Sequence, residues 1–285
     1  MKRILITGEN SYIGTNFQEW LERNPEEYLV ETISVRDEEW KEKDFSKYDS
    51  ILHLAGIAHV STDPKMEEKY YQVNRDLTIA VAKKAKEENV KQFIFMSSII
   101  VYGDGTTESR VITRETIPTP SNFYGNSKLQ AEKGIESLVS PDFKVSIIRP
   151  PMIYGKGSKG NYPKLAKLAK LTPIFPDFPN QRSMLHIDNL CEFIKLLIDN
   201  QESGVFFPQN EEYVNTSQLV KEIANIHGKK VRLVKLFNPL IRMFFKISIV
   251  NKVFGNLVYD SISSQYLKGH YTVNSFKESI IKTER

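Results

Sequence analysis

"MKRILITGENSYIG", residues 1–14, is an apolar run that closes in a glycine turn and passes into a helical pattern. "RILITG" (3–8) is the short continuous apolar stretch of a strand buried on both faces. In "YIGTNFQEWLERN" (12–24), Ile13, Phe17, Trp20 and Leu21 fall on one side at helical spacing. A strand–turn–helix junction of this kind aims backbone N–H groups at a phosphate, assisted by the helix dipole. Gly8 permits the tight turn, and Gly14 lets the helix approach the sheet. The spacing is G-x-x-S-x-x-G, with Ser11 where a glycine is expected, so the generic G-x-G-x-x-G dinucleotide fingerprint is not met. Ser11 is small and its hydroxyl can donate to a phosphate, which narrows the loop without closing it. A strand–helix turn with no ligand remains the competing reading here.

The alternation continues along the chain. "YLVETISVR" (28–36), "SILHLAG" (50–56), "QFIFMSS" (92–98) and "FKVSIIRP" (143–150) read as strands. "KYYQVNRDLTIAVAKKAKEEN" (69–89) and "SKLQAEKGIESLV" (127–139) read as helices. This pattern predicts an α/β protein with a Rossmann-type, doubly wound parallel sheet. After Pro150 the texture changes. "PPMIYGKGSKGNYP" and "LTPIFPDFPNQRS" are loop-rich around the helix "KLAKLAKL". "MLHIDNLCEFIKLLIDN" returns to a helical period, "GVFFPQ" is one more strand, and the rest is irregular apart from a short strand at "KVRLVKL". We expect a dinucleotide domain from residues 1–153 and 184–210, and a smaller C-terminal substrate-binding lobe from 154–183 and 211–285.

Composition sets limits. The 285 residues carry a formal charge of +4, too mild for a nucleic-acid partner. The single cysteine, Cys191, excludes a disulfide framework and cysteine-rich metal sites; it reads as a small buried apolar residue, and no metal is expected. No signal-peptide pattern precedes the first strand and no apolar run reaches the ~20 residues of a bilayer span, so a cytoplasmic protein is expected. "LFNPLIRMFFKISIVNKVFGNLVY" (236–259) is strongly apolar, with Arg242, Lys246 and Lys252 spaced through it. It reads either as a membrane-interface segment or, the preferred reading, as a helix over a substrate pocket. Membrane contact is not expected.

The reacting groups follow from spacing. In "NFYGNSK" (122–128), Tyr124 and Lys128 lie four apart at a helix start, on one face, with Ser121 or Asn122 as cap. A free tyrosine has a pKa near ~10, and a neighbouring ammonium is expected to lower it. "FIFMSSIIVYG" (93–103) delivers Ser97 and Ser98 at a strand's carboxyl end, where open parallel sheets bind ligands. At the end of the second strand an acid holds the ribose 2′-hydroxyl of NAD, whereas an arginine accommodates the 2′-phosphate of NADP. The candidates are Arg36 and Asp37, and Arg36 at the strand tip favours NADP, with NAD the alternative.

These motifs together resemble the extended short-chain dehydrogenase/reductases that act on nucleotide sugars, over nearly the whole chain. "TGENSYIG" is similar to that family's TGxxGxxG, with Ser11 the departure. "DSILHLAG", "SSIIVYG", "YGNSK", "RPPMIYGKG" and "QRSMLHIDNL" are similar to its later motifs, in order. The resemblance implies a catalytic Ser98, Tyr124 as acid/base and Lys128 as its partner. It implies cofactor contacts at Gly8, Ser11, Tyr12, Ile13, Gly14, Leu54, Ala55 and Gly56, an adenine-contacting pair Asp44 and Phe45, and a structural Asn74. Asn161, Phe175 and Arg182 match positions that hold a nucleoside diphosphate, Phe175 by stacking on a uracil ring and Arg182 by pairing with the diphosphate.

Sugar 4,6-dehydratases of that family carry an Asp-Glu pair after the catalytic residue. Ile99 and Ile100 stand there, and aliphatic side chains cannot act as acid and base. What remains is a UDP-sugar 4-epimerase with tightly bound NAD, or a 4-ketoreductase with exchangeable NAD(P)H. The whole pattern is similar to capsule-pathway enzymes that reduce UDP-4-keto-6-deoxy-N-acetylglucosamine, and the reductase is preferred. A non-catalytic dinucleotide sensor needs no Ser98, Tyr124 and Lys128, which argues against it. A homodimer is usual in the resembling family.

Overall fold

The structure, a computed structural model, describes residues 1–57 and 63–285. Six parallel strands form the central sheet: β1 (Lys2–Thr7), β2 (Tyr28–Ile33), β3 (Ser50–His53), β4 (Gln92–Met96), β5 (Lys144–Ile148) and β6 (Gly204–Phe206). Their order is β2-β1-β3-β4-β5-β6. The chain leaves β1 to one side for β2 and returns across it to β3, so Thr7 lies opposite both Ile33 and His53. That reversal opens a crevice beyond the carboxyl ends of β1 and β3, where such sheets bind ligands.

Both faces of the sheet are covered, which is why its strands read as unbroken apolar runs. Ile4, Ile6 and Ile94 turn to one face, under helices α1 (Tyr12–Leu21) and α4 (Ile187–Asp199), with Phe17, Leu190 and Phe193. Leu5, Phe93 and Phe95 turn to the other, under α2 (Leu77–Glu87) and α3 (Phe123–Glu136), with Val81, Ala85 and Ile135. Phe17 is fully enclosed, and truncating such a side chain to Ala costs about 3–5 kcal/mol. Cys191 is buried in the α1/α4 layer, as expected of a small apolar residue. The Rossmann-type sheet expected from sequence is present.

Several elements depart from the sequence reading. The helix expected at 69–89 runs unbroken from Glu67 to Glu87, but with a π-helical stretch at Tyr71–Asp76 before α2. The C-terminal stretch read as irregular holds helices Thr216–Ile226, capped by Asn215, and Phe276–Glu284, which opens on a Ser275/Glu278 capping box. Segment 236–259 is not one helix: Asn238–Met243 and Ser248–Phe254 are separated by a turn, and Val258–Tyr259 pairs with Val111–Ile112. Short parallel pairs Met152–Tyr154 with Met184–His186, and Ile174–Pro176 with Arg232–Val234, organise the part after Pro150. A separate apolar cluster there joins Tyr154, Phe175, Phe178, Leu219, Phe254 and Ile280. Among the described residues no helix is long and apolar enough to cross a membrane.

Candidate functional site

The loop after β1 is built on one glycine conformation. Gly8 has φ +109°, and a Cβ there would sit 2.9 Å from the Ala55 nitrogen. Only glycine lets β1's exit lie against the Leu54–Gly56 turn that follows β3. Ser11 adopts an extended φ/ψ and caps α1, its Oγ accepting from Gly14 N–H at 3.2 Å. Helix geometry leaves Tyr12 and Ile13 N–H without an i−4 acceptor, and none is found for them among the described residues. Two free amide donors at a helix start, beside a turn a Cβ would block, suit the diphosphate of a dinucleotide.

The adenosine end is only partly as expected. Arg36 is exposed beyond β2, with no ion pair found for it among the described residues. Asp37 is engaged locally, its Oδ1 accepting from Glu39 N–H at 3.1 Å. Asp44 closes a turn on Ser46 (2.9 Å to N, 2.6 Å to Oγ), and those bonds hold its carboxyl below the usual range. Phe45 corrects the expectation drawn from the resemblance. Its ring is 0% exposed, inside the core with Val35 and Trp40, and its N–H donates to Glu88. Neither the ring nor the N–H is free for an adenine.

The reactive groups converge at the end of β4. Asn122 is the cap of α3, accepting from Gly125 N–H at 2.9 Å. One turn in, the buried Tyr124 side chain faces Ser98, whose side chain works to lower the phenol's pKa. Ser98 itself starts the short turn Ile99–Tyr102, accepting from Ile100 N–H. Lys128 is buried beside them, and its Nζ donates to the Met96 carbonyl at 2.9 Å. The two serines divide their work: Ser97 faces away and donates to Glu132.

The acidity differs from expectation. Burial pushes the Tyr124 phenol up to about 12 against the pull of Ser98. Burial also pulls Lys128 down to about 8, opposed by Glu132. The ammonium is turned to the Met96 carbonyl, and in this state desolvation, not the neighbouring cation, governs Tyr124.

A polar framework fixes these groups, of which the sequence pointed to Asn74 alone. Asn74, in the π-helical stretch, accepts from Ile57 N–H at 2.8 Å and donates to Ser127 Oγ at 3.2 Å, tying the β3 turn to α3. A Cβ on Gly56 would meet Asn74 Oδ1 at 3.0 Å and Lys128 Nζ at 3.3 Å. Glu132 and Arg149 form a buried two-pronged ion pair, and Arg149 Nη1 donates to the Tyr102 hydroxyl at 2.6 Å. Breaking such a pair costs about 3–5 kcal/mol, because one charge is left unpaired. Glu132 sits one turn beyond Lys128 on the same helix face, which is the signal the sequence offered. Beneath the cleft, His53 bridges Thr7 (2.6 Å) and Thr78 (3.0 Å); burial pulls it down to about 3, so it is neutral.

The remaining candidates lie beyond Pro150. Arg182 donates to the Gly255 carbonyl at 3.0 Å, and no carboxylate pairs with it among the described residues. Burial pulls it down to about 10. Asp104 opposes this only from beyond ion-pair distance, and a desolvated cation so placed is suited to an anionic ligand. Asn161 is exposed at the first turn of helix Asn161–Leu171. Phe175 is the second correction: it is 4% exposed, its ring 5.8 Å from Phe254 in the core, with no open face for a uracil. Tyr12 crosses from the nucleotide loop to this half, since a Cβ on Gly155 would lie 2.7 Å from its hydroxyl.

Comparisons with known proteins agree with this fold. Residues 4–213 match the model of the NAD dependent epimerase/dehydratase family. The UDP-glucose 4-epimerase of Vibrio cholerae is 30% identical over 314 residues, covering 99% of this chain and 94% of that protein. An N-acetyl-alpha-D-glucosaminyl-diphospho-ditrans,octacis-undecaprenol 4-epimerase of Escherichia coli O157:H7 is 29% identical, covering 83% of this chain and 76% of its own length. Among solved structures, the UDP-N-acetylglucosamine 4-epimerase of Bacillus cereus superposes with a TM-score of 0.79 at 15% identity, covering 100% of this chain and 98% of that one. A dTDP-4-dehydrorhamnose reductase of Clostridium acetobutylicum gives 0.75 at 19% identity, covering 99% and 98%. At such identities the structural likeness speaks to the fold alone, while the family match and the 30% relative speak to descent. The chain belongs to the NAD dependent epimerase/dehydratase family.

Proposed function

We propose that this protein is an NADPH-dependent reductase of the 4-keto group of a UDP-sugar, a UDP-4-keto-6-deoxy-N-acetylhexosamine in surface polysaccharide synthesis. The observation that carries the reading is the gathering of Ser98, Tyr124 and Lys128 at the end of β4, with Tyr124 and Lys128 buried and the Lys128 ammonium held on the Met96 carbonyl. A phenol near 12 keeps its proton at neutral pH, the state needed to donate to a forming alkoxide. In this reading the residues divide the work as follows. Tyr12 and Ile13 N–H hold the cofactor diphosphate, and the bound nicotinamide supplies the hydride. Tyr124 Oη gives its proton to the sugar O4, and Ser98 Oγ holds that oxygen. Lys128, cationic below about 8, places positive charge beside the phenolate left behind. Arg182 and Asn161 hold the UDP, on a substrate lobe of residues 154–183 and 211–285 that is part of the same proposal.

NADPH is favoured over NAD because Arg36 is exposed beyond β2 with no ion pair among the described residues, whereas Asp37 is spent on its own turn. Dehydration is disfavoured by Ile99 and Ile100, which carry no acid or base. A second reading, a 4-epimerase with retained NAD, is favoured by the Vibrio cholerae relative at 30% identity. Purified protein tested for retained cofactor, then incubated with NADPH and a UDP-4-keto sugar, separates them. Cofactor-free protein that consumes NADPH in step with sugar supports the reductase. Retained NAD with interconversion of UDP-hexoses and no net consumption replaces it by the epimerase.

A further inference from the structure

The segment after Arg232 carries a surface that neither the sheet nor the candidate site uses. Ile241, Phe245 and Phe254 root it in the apolar cluster that holds Phe175 and Phe178. Six further apolar side chains face outward: Leu236 is 81% exposed, Met243 64% and Ile249 69%, with Leu240, Phe244 and Ile247 about half exposed. Leu240 and Met243 lie on helix Asn238–Met243, and Phe244 and Ile247 on the turn after it, an exposed apolar stripe along the chain interrupted by the buried pair Ile241 and Phe245. Arg242 and Lys246 border the stripe, exposed and without an ion pair among the described residues. Single exposed apolar residues are ordinary; a contiguous stripe rimmed by cations marks an interaction surface.

The charge pattern selects the partner. From residue 223 to 259 the chain has seven Lys or Arg and no Asp or Glu, although the whole protein is only +4. Outward apolar side chains with flanking cations are what an anionic lipid surface takes up. A second copy of this chain on a two-fold axis would set like charges against each other. We propose that residues 236–252 dock the protein peripherally on an anionic membrane, through Leu236, Leu240, Met243, Phe244, Ile247 and Ile249 with Arg242 and Lys246. The segment adjoins the candidate diphosphate site along the chain, because Gly255, three residues beyond it, accepts from Arg182. Docking therefore holds that site close to the bilayer. The inference stands apart from the reductase reading and replaces the expectation of no membrane contact.

The full-length protein is sedimented with vesicles of phosphatidylcholine alone and of phosphatidylcholine with an equal part of phosphatidylglycerol. Binding is expected only to the anionic vesicles, weakened by salt. Arg242→Gln with Lys246→Gln should lower the partition coefficient about 30-fold, at ~1 kcal/mol per cation near the surface. Leu240→Glu with Met243→Glu should abolish it, with the melting temperature unchanged because both side chains are exposed. No binding to anionic vesicles, or binding that survives both pairs, overturns the proposal. So does self-association of the wild-type chain that Leu240→Glu with Met243→Glu abolishes without any vesicle binding, which assigns the stripe to a contact between copies.

Discussion

Ser11 Oγ accepts the Gly14 N–H at 3.2 Å, so the residue that departs from the loop's glycine pattern is the cap of the first helix. Ser11 stays in ordinary extended backbone, with φ −72°, and needs no glycine there. Ser11→Ala should cost about 1 kcal/mol in thermal or denaturant unfolding, and Ser11→Gly only a few tenths. A glycine variant as damaging as the alanine would mean that the hydroxyl does more than cap.

Tyr124 and Lys128 should separate in stability and in pH dependence. Tyr124→Phe keeps the buried ring and is expected to lower kcat by about 10²- to 10⁴-fold at little cost in stability. Lys128 falls from 10.5 to about 8 on folding, so between those values the unfolded chain binds a proton that the native state lacks. Its contribution to stability therefore rises with pH across that window, by roughly 3 kcal/mol in all. Below about 8 the buried ammonium carries its full penalty. Lys128→Met should remove this slope and melt no lower than wild type at neutral pH. In the wild type, keto reduction should fall as pH rises through about 8, and the Met variant should lose that limb of the profile.

Arg36 tests the cofactor. Arg36→Ala should weaken NADPH binding about 10- to 100-fold, the worth of one or two charge-assisted contacts, and leave NADH binding nearly unchanged. Equal losses for the two cofactors, measured by fluorescence titration, would remove Arg36 from the 2′-phosphate.

Arg182 tests the anion site. Its guanidinium meets a single backbone carbonyl and no carboxylate among the described residues. Arg182→Met should raise KM for a UDP-sugar by tens-fold while kcat falls far less, and it should not lower the melting temperature. A variant that loses kcat with KM unchanged would place Arg182 outside the diphosphate contact.

The sequence showed the sheet because burial on both faces leaves unbroken apolar runs, as in Leu5, Phe93 and Ile147. It showed Ser98, Tyr124 and Lys128 because a strand end and an i, i+4 pair are local facts. It misplaced Phe45 and Phe175, since an aromatic at a motif position carries no mark of which way its ring turns. The Glu132–Arg149 pair was not legible, because it joins two elements brought together only by the fold. The acidity of Tyr124 depends on enclosure by the same tertiary packing. Helix Phe276–Glu284 is different: Ser275 and Glu278 spell a capping box that the sequence reading passed over.

The most direct measurement follows a deuterium label from the transferable position of NADPH into a UDP-4-keto sugar, read by mass spectrometry of the product. One deuterium at sugar carbon 4 per NADPH consumed is the result this account predicts. Turnover of UDP-sugars with no label from the added cofactor, the hydride being recycled on a nucleotide that never leaves, would contradict it.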